Sequence, residues 1–148
     1  MANFKIIKNE SREIWAFVFL FALLIITDQL AKKFASRVFE NQNFAFSLPL
    51  PVWLMYVIYA LVLGGLVYYT VKHYKQLNFI HRLAAVLIFA GAASNIVERI
   101  YSGFVRDFIY ITLYKWTGVY NLADGYIIAG IILLLMSKNN KNDNNDQK

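Results

Sequence analysis

Three of the four long apolar runs in this chain end at a carboxylate, and that pattern limits the folds open to it. The runs are residues 14–27 (IWAFVFLFALLIIT), 52–71 (VWLMYVIYALVLGGLVYYTV), 83–97 (LAAVLIFAGAASNIV) and 125–137 (GYIIAGIILLLMS). None alternates apolar and polar residues with a period of two, so each reads as a helix. The charge-free stretches between Glu13 and Asp28, Arg82 and Glu98, and Asp124 and Lys138 hold 14, 15 and 13 residues. A membrane-spanning helix needs roughly 20 residues and no fewer than about 17. Each of these helices must therefore continue past its carboxylate, leaving Asp28, Glu98 and Asp124 just inside the membrane edge. Short core helices of a soluble protein would carry a polar face, and these runs are apolar all round.

If the spans alternate in direction, all three carboxylates fall on one face of the membrane, whichever way the bundle is oriented. An ionisable group within a span is costly and marks a functional site by default. The chain is 59% apolar and only 16% charged, well below the usual quarter. Its basic residues sit in short groups between the runs (Lys5/Lys8/Arg12, Lys32/Lys33/Arg37, Lys72/Lys75/Arg82 and Lys138/Lys141). Groups of that kind flank spans and touch anionic lipid, and no basic–aromatic motif for nucleic acid accompanies them. With both termini in the cytoplasm, nine Lys/Arg lie inside and six outside, the direction of the positive-inside rule. The carboxylate cluster then faces outward. There is no cysteine, and His73 and His81 flank the opposite loop. Thiol chemistry, a Ser–His mechanism and a His-rich metal site are thereby set aside, and no metal or cofactor is expected. The first run is followed by Asp28-Gln29-Leu30-Ala31-Lys32-Lys33 rather than a small-x-small cleavage site, so it is not read as a cleaved signal.

The polar clusters differ in how far a bland explanation covers them. Asp28 and Lys32, at i and i+4, share a helix face and read as a structural ion pair. The small residues Gly91, Ala92, Ala93 and Ser94 allow a neighbouring helix to approach closely. Packing does not explain Asn95, Glu98 and Arg99, which follow them at the end of a short span. Asn121 and Asp124 read equally as an N-cap with its N3 partner or as site residues. Asp107 lies in a link whose continuation, residues 108–116, is too apolar for a free loop and belongs at the membrane interface. Asn41, in the link between the first two runs, reads equally as part of a turn or as a wall of a cleft.

Asp28 has Lys32, and Glu98 has Arg99 as its nearest cation in sequence. Asp107 and Asp124 are left without a helical counter-ion. Two close carboxylates share a proton, so that one acts as base on water and the other as acid on a carbonyl. Aspartic peptide hydrolysis is the chemistry this suggests. The alternatives are a small proton- or cation-coupled transporter, whose acids would be spread through the membrane depth, and a non-catalytic binding protein. Every span centre here is free of charge.

The order Asp28-Gln29-x-x-Lys32, Asn41-x-x-x-Ala45-Phe46-Ser47, Gly91-Ala92-x-x-Asn95-x-x-x-Arg99, Val105-x-Asp107-Phe108 and Asn121-x-Ala123-Asp124 resembles the lipoprotein signal peptidase family, signal peptidase II of bacteria. The resemblance runs from Asp28 to Asp124, nearly the whole chain. It implies an all-α membrane protein: four transmembrane helices, a small extracytoplasmic β-element at about 37–48 and a mobile interfacial segment at about 109–120. It also implies an aspartic endopeptidase of the cytoplasmic membrane. Such an enzyme cleaves signal peptides from diacylglyceryl-modified prolipoproteins before the lipidated cysteine, and is expected to be monomeric among membrane lipid. On the matching positions, Asp107 and Asp124 are the catalytic pair. Asn95, Arg99 and Asn121 fall on supporting polar positions, with Glu98 and Asn41 beside them, and Asp28 and Lys32 fall on a structural pair.

Three positions depart from the family pattern. Ser94 and Glu98 stand where Gly and Asp are usual, and Asn43 stands where Gly is usual, Asn being tolerant of left-handed backbone. The reading is one membrane domain, residues 1–148, with spans at about 12–32, 51–71, 81–100 and 119–137 and a disordered tail at 139–148.

Overall fold

The computed structural model describes residues 2–43 and 50–139. Residues 44–47 of the polar–aromatic link, the end of the expected β-element and the tail from 140 onward lie outside the described residues. The elements are α1 (Ala2–Phe34), β1 (Phe39–Asn41), α2 (Val52–His73) with a closing 3-10 turn (Tyr74–Gln76), α3 (Phe79–Ser102), β2 (Val105–Asp107), β3 (Ile109–Leu113), β4 (Trp116–Tyr120) and α4 (Leu122–Asn139).

The helices continue past their carboxylates, as the length argument requires. α1 runs on from Asp28 to Phe34, α3 from Glu98 to Ser102, and α4 begins at Leu122, ahead of Asp124. Among the described residues, three segments are long and apolar enough to cross a membrane: Ser11–Phe34, Val52–Gln76 and Phe79–Ser102. The fourth, Leu122–Ser137, is shorter; at 1.5 Å per residue it rises about 24 Å, somewhat less than a bilayer core of about 30 Å. The outward faces of these helices are apolar, with Trp15, Phe19, Leu61, Val71 and Leu135 among the exposed side chains. A water-soluble protein rarely presents such a surface. A multi-pass membrane protein requires it.

Local signals set the ends of α3. Asn78 caps its start, its Oδ1 accepting from the His81 backbone N–H at 2.9 Å. Gly103 stops it with φ 78°, its N–H donating to the Arg99 carbonyl at 2.9 Å, a left-handed C′ position that favours glycine. The tightest helix pair is α3 with α4, and glycine makes it possible. A Cβ on Gly91 would stand 2.3 Å from the Ala123 carbonyl oxygen, and one on Gly130 would stand 2.7 Å from that of Ala84. Ala84, Ala85, Ala90 and Ala123 complete a buried seam of small residues, so the two backbones approach closely, as the run at 91–94 suggests.

Two antiparallel ribbons sit at the carboxylate end of the bundle. β1 pairs with β2 in the register Phe39↔Asp107, Glu40↔Arg106, Asn41↔Val105. β3 and β4 form a hairpin from Ile109↔Tyr120 to Leu113↔Trp116, turned at Tyr114 with φ 56°. The interfacial segment expected at 109–120 is therefore a hairpin, and its strand β4 occupies residues 119 and 120, where the fourth span was expected to begin.

Candidate active site

All nine residues selected from the sequence lie at one end of the bundle, where all but Arg99 form two adjoining clusters of different character. The first is built on Lys32, one turn beyond Asp28 on α1. Its ammonium lies 2.8 Å from Asp28 Oδ2, 2.8 Å from Glu98 Oε2 and 2.8 Å from Asn95 Oδ1. The amide contact is an aligned hydrogen bond, and the two carboxylate contacts are ion pairs. Asp28 and Lys32 are fully buried, where a charge persists only if it is paired. Asp28 also accepts from Ser94 Oγ at 2.6 Å and from the Ala123 backbone N–H at 3.0 Å. The second contact satisfies a donor in the first turn of α4, which has no partner within its own helix. Asp28 thus fastens α1 to α3 and caps α4, so its geometry is that of an anchor.

Glu98 pairs with Lys32 and Arg106, and not with its sequence neighbour Arg99. The reason is helical: adjacent positions point about 100° apart. Arg99 faces α2 instead, donating to the Tyr59 hydroxyl at 2.6 Å and to the Asn43 carbonyl at 2.8 Å. Asn43 is not left-handed. Its turn is held by its own N–H donating to Asn41 Oδ1 at 3.0 Å, the side-chain turn that Asn favours.

The second cluster contains Asp107 and Asp124, and among the described residues no cation lies within ion-pairing distance of either. Asp107 is buried at the end of β2. Its Oδ2 accepts from Asn41 Nδ2 at 2.9 Å, across the β1–β2 ribbon, and its Oδ1 accepts from Asn121 Nδ2 at 2.6 Å. Asp124 is half-buried. It accepts from Asn95 Nδ2 at 2.9 Å and from the Asn121 backbone N–H at 3.1 Å.

Asn121 joins the two acids. Its Oδ1 accepts from the Asp124 backbone N–H at 2.9 Å while Asp124 returns a bond to the Asn121 N–H, a reciprocal cap of the kind seen at helix starts. The other end of the same amide holds Asp107. Asn121 therefore caps the helix, one of the two readings that the spacing left open, and also holds Asp107. Burial pushes the Asp107 carboxyl up to about 6. The Asn41 hydrogen bond opposes that rise, the nearby charge of Asp124 adds to it, and Asn121 and Lys32 hold it back. A buried carboxyl in this range exchanges a proton near neutrality, which an ion-paired one does not.

Sequence reasoning passed over Tyr59, Gln29 and Arg106. Tyr59 had no signal beyond a hydroxyl within an apolar run. Arg106 adjoins Asp107 and pairs with Glu98, a contact that shows only once α3 and β2 are seen side by side.

Comparison with known proteins gives a consistent picture. The family model described as Signal peptidase (SPase) II matches residues 20–138. A lipoprotein signal peptidase of Fusobacterium nucleatum subsp. nucleatum is 24% identical over 139 residues, covering 81% of this chain and 84% of that protein. One from Streptococcus pyogenes serotype M1 is 36% identical over 98 residues, covering 66% of this chain and 63% of that protein. Among solved structures, a bacterial membrane enzyme determined by the in meso method at 2.3 Å superposes with a TM-score of 0.76. It is 24% identical, and the match covers 91% of this chain and 94% of that one. A second, at 1.9 Å, gives a TM-score of 0.68 at 25% identity, covering 84% and 92%.

Proposed function

The chain belongs to the signal peptidase II family, and from that premise we propose that it is an aspartic endopeptidase that removes signal peptides from prolipoproteins, with Asp107 and Asp124 as the catalytic pair. The observation that carries the assignment is the Asn121 amide, which holds Asp107 with one end and the first turn bearing Asp124 with the other. Asp107, whose carboxyl burial pushes up to about 6, acts as the acid; Asp124 acts as the base. A water between them gives a proton to Asp124 as its oxygen attacks the scissile carbonyl, and Asp107 protonates the carbonyl oxygen. Collapse of the tetrahedral intermediate breaks the C–N bond. The proton on Asp124 passes to the departing amine, and the hydroxyl proton returns to Asp107. Asn41, Asn95 and Asn121 fix both carboxylates without neutralising them.

The four helices span the cytoplasmic membrane as a single domain with both termini inside, and the pair sits near the outer face. The substrate is a diacylglyceryl-modified prolipoprotein cut before its lipidated cysteine. Its lipid anchor holds the scissile bond at the depth of the two aspartates, a positional constraint that lowers the barrier by pre-paying the entropy of alignment. The protein acts as a monomer among membrane lipid.

The test is co-expression with a lipidated prolipoprotein, followed by the gel shift on cleavage. The wild-type chain cleaves, while Asp107→Asn and Asp124→Asn each do not. Retained cleavage in either variant removes that aspartate from the pair. Binding of the prolipoprotein by the wild-type chain without cleavage identifies a non-catalytic relative instead.

A further inference from the structure

Ser94 and Glu98 lie one turn apart on α3, and the structure links them through one connected path. Glu98, buried on α3, bridges two cations: its Oε2 lies 2.8 Å from Lys32 Nζ, and its Oε1 accepts from Arg106 Nε. Arg106 also reaches Gln29 Oε1 at 3.5 Å, and Gln29 Nε2 donates to Ser94 Oγ at 2.9 Å. Ser94 in turn donates to Asp28, closing the path back to Lys32.

Arg106 is the middle residue of β2, and its side chain leaves the strand on the face opposite to Val105 and Asp107, both of which are buried. The strand is thereby held from two sides. On one face Asp107 is fixed by Asn41 and Asn121. On the other, Arg106 ties the backbone of β2 to α3 and α1. Glu98 also bears on the second aspartate, since its partner Lys32 donates to Asn95, and Asn95 donates to Asp124.

We propose that the Glu98–Arg106 pair is a positioning clamp that sets the approach of Asp107 to Asp124. Neither residue touches the reacting atoms. Aspartate at 98 is shorter by one methylene, about 1.5 Å, and cannot hold Lys32 and Arg106 together. The clamp's effect on turnover rests on the peptidase reading, whereas its effect on β2 does not.

The experiment measures two things on the purified full-length chain in detergent or bilayer mimetic: cleavage kinetics with a lipidated prolipoprotein, and backbone hydrogen exchange across residues 104–108. Arg106→Ala and Glu98→Asp are expected to lower kcat by about 10- to 100-fold with KM within about threefold, because displacement of a catalytic group by about 1 Å costs that much. Both variants speed exchange in β2. Arg106→Lys, which keeps the cation, recovers much of kcat, and the double variant Arg106→Ala/Glu98→Asp is no worse than the poorer single, as for two members of one unit. The clamp is overturned if kcat in Arg106→Ala stays within twofold of wild type, if the loss appears in KM alone, or if β2 exchange is unchanged. A misfolded Arg106→Ala would be recognised by exchange rising throughout the helices, and Arg106→Lys and Glu98→Asp then decide the matter by the same criteria. A wild-type chain that fails to cleave, while Arg106→Ala still loosens β2 alone, removes the peptidase reading and leaves the clamp on β2 standing.

Discussion

The two acidic clusters at the mouth of the bundle adjoin each other yet are solved by opposite means. Asp28 and Glu98 are each within 2.8 Å of the Lys32 ammonium. Among the described residues, Asp107 and Asp124 are held by amides, from Asn41, Asn95 and Asn121. Removing the cation from a buried ion pair strands a charge. A carboxyl cradled by neutral donors is stabilised in place without being locked into one protonation state. The first arrangement ties helices together through a shared cation, and the second holds its carboxyls through neutral donors. Asp28, Glu98 and Asp107 are all buried, so burial alone does not separate an ion-paired acid from one held by amides. The identity of the donors does.

That contrast breaks most sharply on substitution. Asp107→Asn and Asp124→Asn are expected to lower kcat by about 10³-fold or more while leaving the folded protein intact, the signature of groups acting as a unit in the transition state; thermal unfolding of the same samples checks the second half. Lys32→Met reverses the pattern. It leaves Asp28 and Glu98 buried without their shared cation, at a cost of about 3–5 kcal/mol, read as a large fall in thermal stability and yield. If Lys32→Met stayed as stable as wild type, the scaffold half of the comparison would collapse.

pH divides the clusters next. The Asp107 carboxyl titrates at about 6 against an ordinary value of 3.8, so folding favours its protonated form. Its contribution to stability is fully present below about pH 4 and is lost as pH rises through about 6. Asp107→Asn should therefore gain about 1–3 kcal/mol over wild type above pH 6 and little below pH 4, measured by unfolding at the two pH values. For cleavage, kcat/KM should fall on the alkaline side from a midpoint near 6, with kcat falling from a higher one because bound substrate excludes water. A pH-independent rate between 5 and 8 would argue against Asp107 as the acid. The smallest effect is expected at Ser94. Ser94→Ala removes one of three contacts to Asp28 and should cost about 1 kcal/mol, visible as a shift of a few degrees in unfolding.

Much of this was legible in the chain. Helices were readable from hydropathy, and their continuation past each carboxylate from counting residues. The Asp28–Lys32 pair and the Asn121–Asp124 cap were readable because i, i+4 and i, i+3 spacing is local. The seam of small residues at 91–94 pointed to a close helix neighbour, though not to α4 as that neighbour. Arg99 was readable only as charged and near Glu98, and its true partners come from α2 and from the turn at Asn43. The Asn41–Asp107 bond crosses 66 positions, and the Glu98–Arg106 tie joins a helix to a strand.

Hydropathy, charge spacing and local caps depend on neighbours along the chain, and they determined the helices, the end at which the acids gather and the acids themselves. Asp28 takes its cation from its own helix, whereas the cations of Glu98 and the side-chain amides that hold Asp107 come from other elements. The tight α3–α4 seam and the β1–β2 register brought them together, and only the tertiary structure decided that division. Local spacing specifies what a side chain can reach within its own element; the packing of elements specifies what stands across from it.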